Sequence, residues 1–238
     1  MNFDTPVFQL KRLAKTRSRQ NNVPLNVALD QIAREQGFPD WHHLAFREKR
    51  ERNAATIFRR MDEGDLLLLG ARPRQGKTVL ALQLLLKALR AGELGYVFSL
   101  EYTEAQVLQQ LYRLGMKPDE FGRMLNIRTS DDICADYIST IILHLKRPAF
   151  VVIDYLQLLD QKRENPDLET QVGQLANLAG ASSSKVVVLS QIDRSFDQKN
   201  ANLPTISNIR MPNTLNVSHF GKTCFIHNGE MRLSVSGG

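Results

Sequence analysis

Lys77 and Thr78 stand directly after Gly76, where an apolar run meets a helical pattern. The run is Leu66-Leu67-Leu68-Leu69, the link is Gly70-Ala71-Arg72-Pro73-Arg74-Gln75, and Val79 to Leu89 continues with apolar residues at helical spacing. Strand, glycine-containing loop and helix, in that order, form the setting of a phosphate-binding loop. Backbone N–H groups of the loop and of the helix start would face phosphate oxygens. Gly76 would let the backbone pass close to them. Lys77 would reach the β- and γ-phosphates of a nucleotide, and the Thr78 hydroxyl would hold Mg²⁺. Ala71, Arg72, Pro73, Arg74, Gln75, Gly76, Lys77 and Thr78 are therefore the candidate nucleotide contacts. The usual pattern places a glycine five residues before Gly76; here that position is Ala71, with Gly70 beside it. A plain turn carrying a surface lysine would need neither the leucines before it nor the long amphipathic helix after it.

Three more apolar runs end in polar groups: Leu100-Glu101, Ile153-Asp154 and Leu189-Ser190-Gln191. In a parallel sheet such ends share one edge, beside the phosphate loop. Asp154 would ligand Mg²⁺, directly or through water. Glu101 would orient and deprotonate an attacking water, and Gln191 would contact a γ-phosphate. Lys77, Glu101 and Gln191 are thus the candidate catalytic groups, with Thr78 and Asp154 for the metal. Each has a plainer alternative: Glu101 as the cap of the next helix, Gln191 as a loop tie.

The elements that must position these groups alternate. Phe150-Val151-Val152-Ile153 and Lys185 to Leu189 read as buried central strands, because no polar residue interrupts either apolar stretch. Helices are expected over 78–91, 103–114, 131–144 and 168–181. Asp131 and Asp132 would then sit at a helix N-terminus, where negative charge is favourable. Thr223–His227 and Glu230–Val235 flank Asn228-Gly229, a hairpin signal. Residues 193–212 are polar and poor in regular signal. The pattern predicts an α/β fold, a mostly parallel sheet covered by helices. It spans residues 64–238, after a charged helical connector over 46–63 and a small basic helical module over 1–45. In that module the pattern predicts helices over 3–20 and 25–36 and a third starting near Trp41, with Asp40 as its N-cap. Phe3, Val7, Leu10 and Ala14 would line one inner face, and Leu25, Ala28, Leu29, Ile32 and Ala33 another.

Charge is uneven along the 238 residues. The net charge is +6, and residues 1–60 hold all of it, twelve Lys/Arg against six Asp/Glu. An acidic partner for the N-terminal part, nucleic acid first, is one reading; a solvated helix surface is the other. The two cysteines, Cys134 and Cys224, match no metal-ligand spacing and are expected as buried thiols. No apolar run is long enough to span a membrane, and the N-terminus lacks a secretory pattern. A cytoplasmic protein is the expectation.

Taken together, Ala71-Arg72-Pro73-Arg74-Gln75-Gly76-Lys77-Thr78, Phe98-Ser99-Leu100-Glu101, Val152-Ile153-Asp154-Tyr155-Leu156-Gln157-Leu158 and Leu189-Ser190-Gln191-Ile192-Asp193-Arg194-Ser195 resemble the motor domain of DnaB-type replicative helicases. The resemblance runs over roughly residues 60–210. It implies a RecA-like P-loop NTPase fold, ATP and Mg²⁺ as ligands, and a homo-oligomer, usually a hexameric ring. Nucleotide would lie between subunits and single-stranded DNA in a central channel. It also implies Lys77 and Thr78 on nucleotide and Mg²⁺, Glu101 as catalytic base, Asp154 as the Mg²⁺-site acid and Gln191 as γ-phosphate sensor. DNA-facing candidates are Arg194, Lys199 and Arg210. The chain departs from the family after the Ser-Gln motif: it has no Lys-x-Arg-Asn-Gly stretch to reach a neighbour's γ-phosphate. Lys222, Arg210 and Arg232 are the cations left to stand in. Two rival readings follow: a nucleotide-dependent scaffold with little turnover, and a DNA-binding module on a degenerate ATPase.

Overall fold

The computed structural model describes residues 5–159, 162, 164–199, 203–210 and 216–235. The chain divides into two compact units, 1–54 and 55–238. The first unit holds α1 (Val7–Gln20), α2 (Leu25–Glu35) and most of α3 (Trp41–Arg59). Its core is Leu10 and Ala14 of α1, Ala28, Ile32 and Ala33 of α2, and Leu44 of α3. Val7, Val23, Leu29, Phe38 and Trp41 pack around them. Leu25, expected on the inner face of α2, is instead exposed; it is the first residue of the helix and lies before the packed turns. Phe3 lies outside the described residues. Asp40 caps α3 by accepting a hydrogen bond from the His43 backbone N–H at 2.9 Å. The third helix and the charged connector prove to be one helix, with neither proline nor glycine between Trp41 and Arg59 to stop it.

The second unit is a seven-stranded sheet with helices between its strands. In chain order these are β1 (Leu66–Ala71), α4 (Lys77–Arg90), β2 (Leu94–Ser99), α5 (Glu104–Arg113), β3 (Leu125–Arg128) and α6 (Ala135–Leu143). Then come β4 (Ala149–Asp154), α7 (Leu168–Ser182), β5 (Lys185–Gln191), β6 (Lys222–His227) and β7 (Glu230–Val235). The spatial order is β3-β2-β4-β5-β1-β6-β7. Every pairing is parallel except β6 with β7. β1, β4 and β5 lie inside the sheet and are apolar almost throughout, as strands covered on both faces must be. The core joins Leu66, Leu68, Phe98, Val151, Ile153, Val186 and Val188 to Ile138 and Ile142 of α6 and Val172 and Leu175 of α7.

Two sequence expectations are corrected here. α6 starts at Ala135, so Asp131 and Asp132 precede the helix; Asp132 pairs instead with Lys162 at 2.5 Å, and Asp136 occupies the first turn. The stretch after β5 also has local order. It contains short 3-10 turns over Arg194–Lys199 and Ile206–Asn208, and an antiparallel bridge between Ile192 and Ile209. Residues 200–202 and 211–215 lie outside the described part. Among the described residues no helix is long and apolar enough to cross a membrane.

Candidate active site at the strand ends

β1 delivers the loop that carries Lys77. Ala71, where the usual motif has glycine, is the last residue of β1 and is buried. The close approach occurs one residue earlier: a Cβ on Gly70 would meet the Phe225 ring at 2.6 Å. The loop then turns through Arg74 and Gly76 at positive φ, 62° and 89°. Gly76 is the residue before α4 and allows the left-handed turn that starts it. The loop is fastened from two sides. Arg72 donates to the Ile192 carbonyl at 3.4 Å, and the Asn228 backbone N–H donates to Gln75 Oε1 at 2.8 Å.

Register brings the other groups alongside. Ala71 pairs with Gln191 across β1 and β5, and Ser99 pairs with Asp154 across β2 and β4. Lys77 Nζ donates to Asp154 Oδ1 at 3.3 Å and lies 3.7 Å from Glu101 Oε2. Thr78 Oγ1 donates to Asp154 Oδ2 at 3.1 Å. Lys77 also sits over the Tyr155 ring, 4.8 Å from its centre. The Glu101 loop is held by the buried Ser99 hydroxyl, whose oxygen accepts from the backbone N–H of Tyr102 at 2.9 Å and of Glu101 at 3.3 Å. Helix capping there belongs to Thr103, in a capping box with Gln106, so Glu101 is released from that duty.

A cleft of about 440 Å³ opens between these ends. Pro73, Arg74, Gly76, Lys77, Thr78, Glu101 and Gln191 line it, together with Tyr102, Gln110 and Tyr155. Asp154, bonded to Lys77 and Thr78 of that lining, is 2% exposed. Burial pushes its carboxyl above the usual range, against the opposing pull of the Lys77 charge and the hydrogen bonds from Thr78 and Lys77. Burial and the nearby Glu101 charge raise the hydroxyls of Tyr102 and Tyr155 as well, so both stay protonated at neutral pH.

Gln157 lies within one of the sequence motifs but carried no expected task. In the fold its amide donates to Ser190 Oγ at 2.9 Å and to the Arg210 carbonyl at 2.8 Å. Its oxygen accepts from the Gln191 backbone N–H at 3.3 Å. Gln157 thereby fixes the end of β5 and the chain that returns to it. The only sequence signal was its position three residues after Asp154. Tyr102 and Tyr155 were missed for a different reason: each directly follows an expected acid and reads as ordinary loop.

Neither Arg194 nor Arg210 lines this cleft. Arg194 is exposed on the turn after β5. Arg210 is exposed too, with its backbone N–H donating to the Gln191 carbonyl at 2.8 Å. Lys199 ends the same turn as Arg194, and its side chain lies outside the described part. Lys222 is excluded as a free cation. It sits at the first residue of β6, opposite Leu67 and so at the far edge of the sheet, buried against Asp62 at 2.8 Å and against Asp65. Arg232 is exposed on β7.

An α/β fold with a mostly parallel sheet, helices on it and catalytic-type groups at the strand ends is the architecture of RecA-like helicase ATPase domains. The similarities are to replicative helicases of the DnaB type. The family model described as "DnaB-like helicase C terminal domain" matches residues 123–218, a span that includes Asp154 and Gln191. The chain is 26% identical over 180 residues to the replicative DNA helicase DnaB of Helicobacter pylori, a match covering 63% of this chain and 37% of that protein. It is 28% identical over 178 residues to its counterpart from Geobacillus stearothermophilus, covering 61% and 39%. The matched part thus spans well under half the length of these relatives. Among solved structures, one described as an ATPase domain aligns at TM-score 0.57 and 20% identity, covering 71% of each chain. A DnaB-like replicative helicase, described with its interactions with primase, aligns at 0.56 and 19%, covering 92% of this chain and 64% of that one.

Proposed function

We propose that this chain binds ATP with Mg²⁺ in the cleft at the strand ends and hydrolyses it, coupling turnover to single-stranded DNA as one subunit of a ring. The observation that supports this most is the convergence of Lys77, Thr78, Glu101 and Asp154 from three different strand ends within hydrogen-bond or ion-pair reach. The donor set fits the metal. Thr78 Oγ1 and Asp154 offer hard oxygen ligands, and no group of three or more His, Cys, Asp or Glu competes among the described residues. Thr78 and Asp154 would hold Mg²⁺, which when bound would supply positive charge against the phosphates.

The chain's own residues supply the rest. Lys77 exchanges its carboxylate partners for phosphate oxygens. The backbone N–H groups at the start of α4 bind the same anion at the positive end of the helix. Glu101, relieved of Lys77, holds the attacking water and takes its proton. Gln191, anchored through Gln157, contacts the γ-phosphate from the end of β5. Arg194, Lys199 and Arg210 face the nucleic acid beside that same strand end.

The experiment is ATP turnover with and without oligo(dT), alongside a Mg²⁺-dependent nucleotide titration. Stimulation by the strand is expected. No detectable Mg²⁺-dependent binding would overturn the reading. The capture of Lys222 by Asp62 and Asp65 favours a second reading. With that lysine occupied, the finger that would enter a neighbour's site falls to Arg210 or Arg232, and without one turnover drops by about 10³–10⁵. A nucleotide-dependent scaffold would bind ATP tightly and show no stimulation by DNA.

A further inference from the structure

α1 carries Lys11, Arg12, Lys15, Arg17 and Arg19 and no acidic residue along its 14 positions. Arg17 is engaged, in a two-pronged pair with Glu35 of α2. The other four are exposed, and among the described residues none has an ion-pair partner. Their placement is not scattered. At 3.6 residues per turn Lys11, Lys15, Arg19 and Arg12 fall within one arc of about 100° on the helix. Leu10 and Ala14 lie on the other side, buried in the module's core. In the middle of the basic arc stands Phe8, 61% exposed. The helix start adds to the same field: its first turn has no acid and no side-chain cap. Beside the arc a groove of about 700 Å³ runs between α1 and α3, lined by Phe8, Lys11, Lys49 and Arg52 with a single carboxylate, Glu48.

We propose that this face of α1 is a single-stranded DNA-binding surface of its own, separate from the ATPase cleft. The four cations track the phosphates and Phe8 stacks on a base. An unpaired aromatic ring at the centre of a cation cluster is what a single strand uses and what a duplex, with its bases stacked inside, cannot reach. From Phe8 to Arg19 the helix covers about 16 Å, room for about five phosphates at the 3.4 Å spacing of a stacked strand. A lipid surface fits poorly, because Leu10 and Ala14 are buried in the module's core and only Phe8 and Leu13 of the large apolar residues of α1 are exposed, too few for a face that enters a bilayer. That the strand is DNA rather than RNA rests on the functional reading above; the surface itself does not.

The test uses the full chain. Binding of fluorescein-labelled oligo(dT) is followed across a salt series for the native protein, the triple variant Lys11→Ala/Lys15→Ala/Arg19→Ala, and Phe8→Ala. All four positions are exposed, so unchanged melting and basal ATP turnover are expected. The triple variant should flatten the log–log salt slope by about two, near 0.7 for each phosphate contact removed. Phe8→Ala should weaken oligo(dT) binding about tenfold while leaving duplex binding unaltered. Lys77→Ala should lose turnover and keep the native slope, so failure of the ATPase reading and of this one are told apart. An unchanged slope in the triple variant overturns the proposal. So does equal loss on duplex with no effect of Phe8→Ala, preference for oligo(U), or a loss seen only with phosphatidylserine vesicles or an acidic protein competitor.

Discussion

Lys77 divides its charge among Asp154, Glu101 and the Tyr155 ring, and each partner has a different fate when it leaves. Lys77→Ala is expected to lower turnover by at least about 10²–10³, the usual cost of one preorganised charge partner, with the fold retained; steady-state turnover on the purified variant checks it. The Glu101 side chain is 42% exposed and its backbone N–H is held by the Ser99 hydroxyl, so Glu101→Gln should keep nucleotide binding and lose turnover by about 10²–10⁴. Loss of binding would assign Glu101 a structural task. Asp154 carries a pH signature. Its folded carboxyl titrates above the ordinary range because it is buried. Between that ordinary range and the raised value, the native chain keeps a proton that the unfolded chain has released. Stability therefore falls as pH rises through that window, and Mg²⁺-dependent nucleotide binding weakens as pH falls through it. Urea midpoints and nucleotide titrations against pH, compared with Asp154→Asn, should show the Asp154 contribution to each slope removed in the variant. At this scale the placement of Glu101 and Asp154 beside Lys77 and Thr78 was legible: the acids follow apolar runs, and Lys77 and Thr78 follow Gly76 at the start of a helical pattern. Gln157 was not, since its partners, Ser190, Gln191 and Arg210, lie 33, 34 and 53 residues away.

The strands determine how closely these groups meet. Gly70 is the point where β1 passes the Phe225 ring of β6, and that ring is itself buried. Gly70→Ala should cost about 1–3 kcal/mol through overpacking, seen as a melting temperature lower by about 2–4 °C for each kcal/mol. A melt unchanged within error would mean that the ring can swing aside. The same contact explains why a motif with alanine at position 71 still closes: space is needed at residue 70, and Ala71 is ordinary strand. Interior strands were read correctly from their unbroken apolar runs. The start of α6 was not, because Asp131 and Asp132 look like a helix cap while the tie from Asp132 to Lys162 is invisible in sequence. The turns after β5 were equally hidden. Their order comes from one bridge, Ile192 to Ile209, and from side-chain caps rather than from periodicity.

At the scale of the whole chain, charge and chemistry sit in separate units. The cation excess was visible as a count, but the arc on α1 needed the helix to be drawn and its buried side known. Assembly is the remaining expectation. Native mass measured with ATP and Mg²⁺ should give six subunits; a lasting single chain would leave Arg210 and Arg232 with no neighbour's site to enter. The sheet ends in β7, whose outer side has no strand against it among the described residues. The turn joining β7 to β6 is clipped to the loop at Gln75 through the Asn228 amide. A nucleotide that moved that loop on binding would pull on the β6–β7 turn, at the edge strand of the sheet.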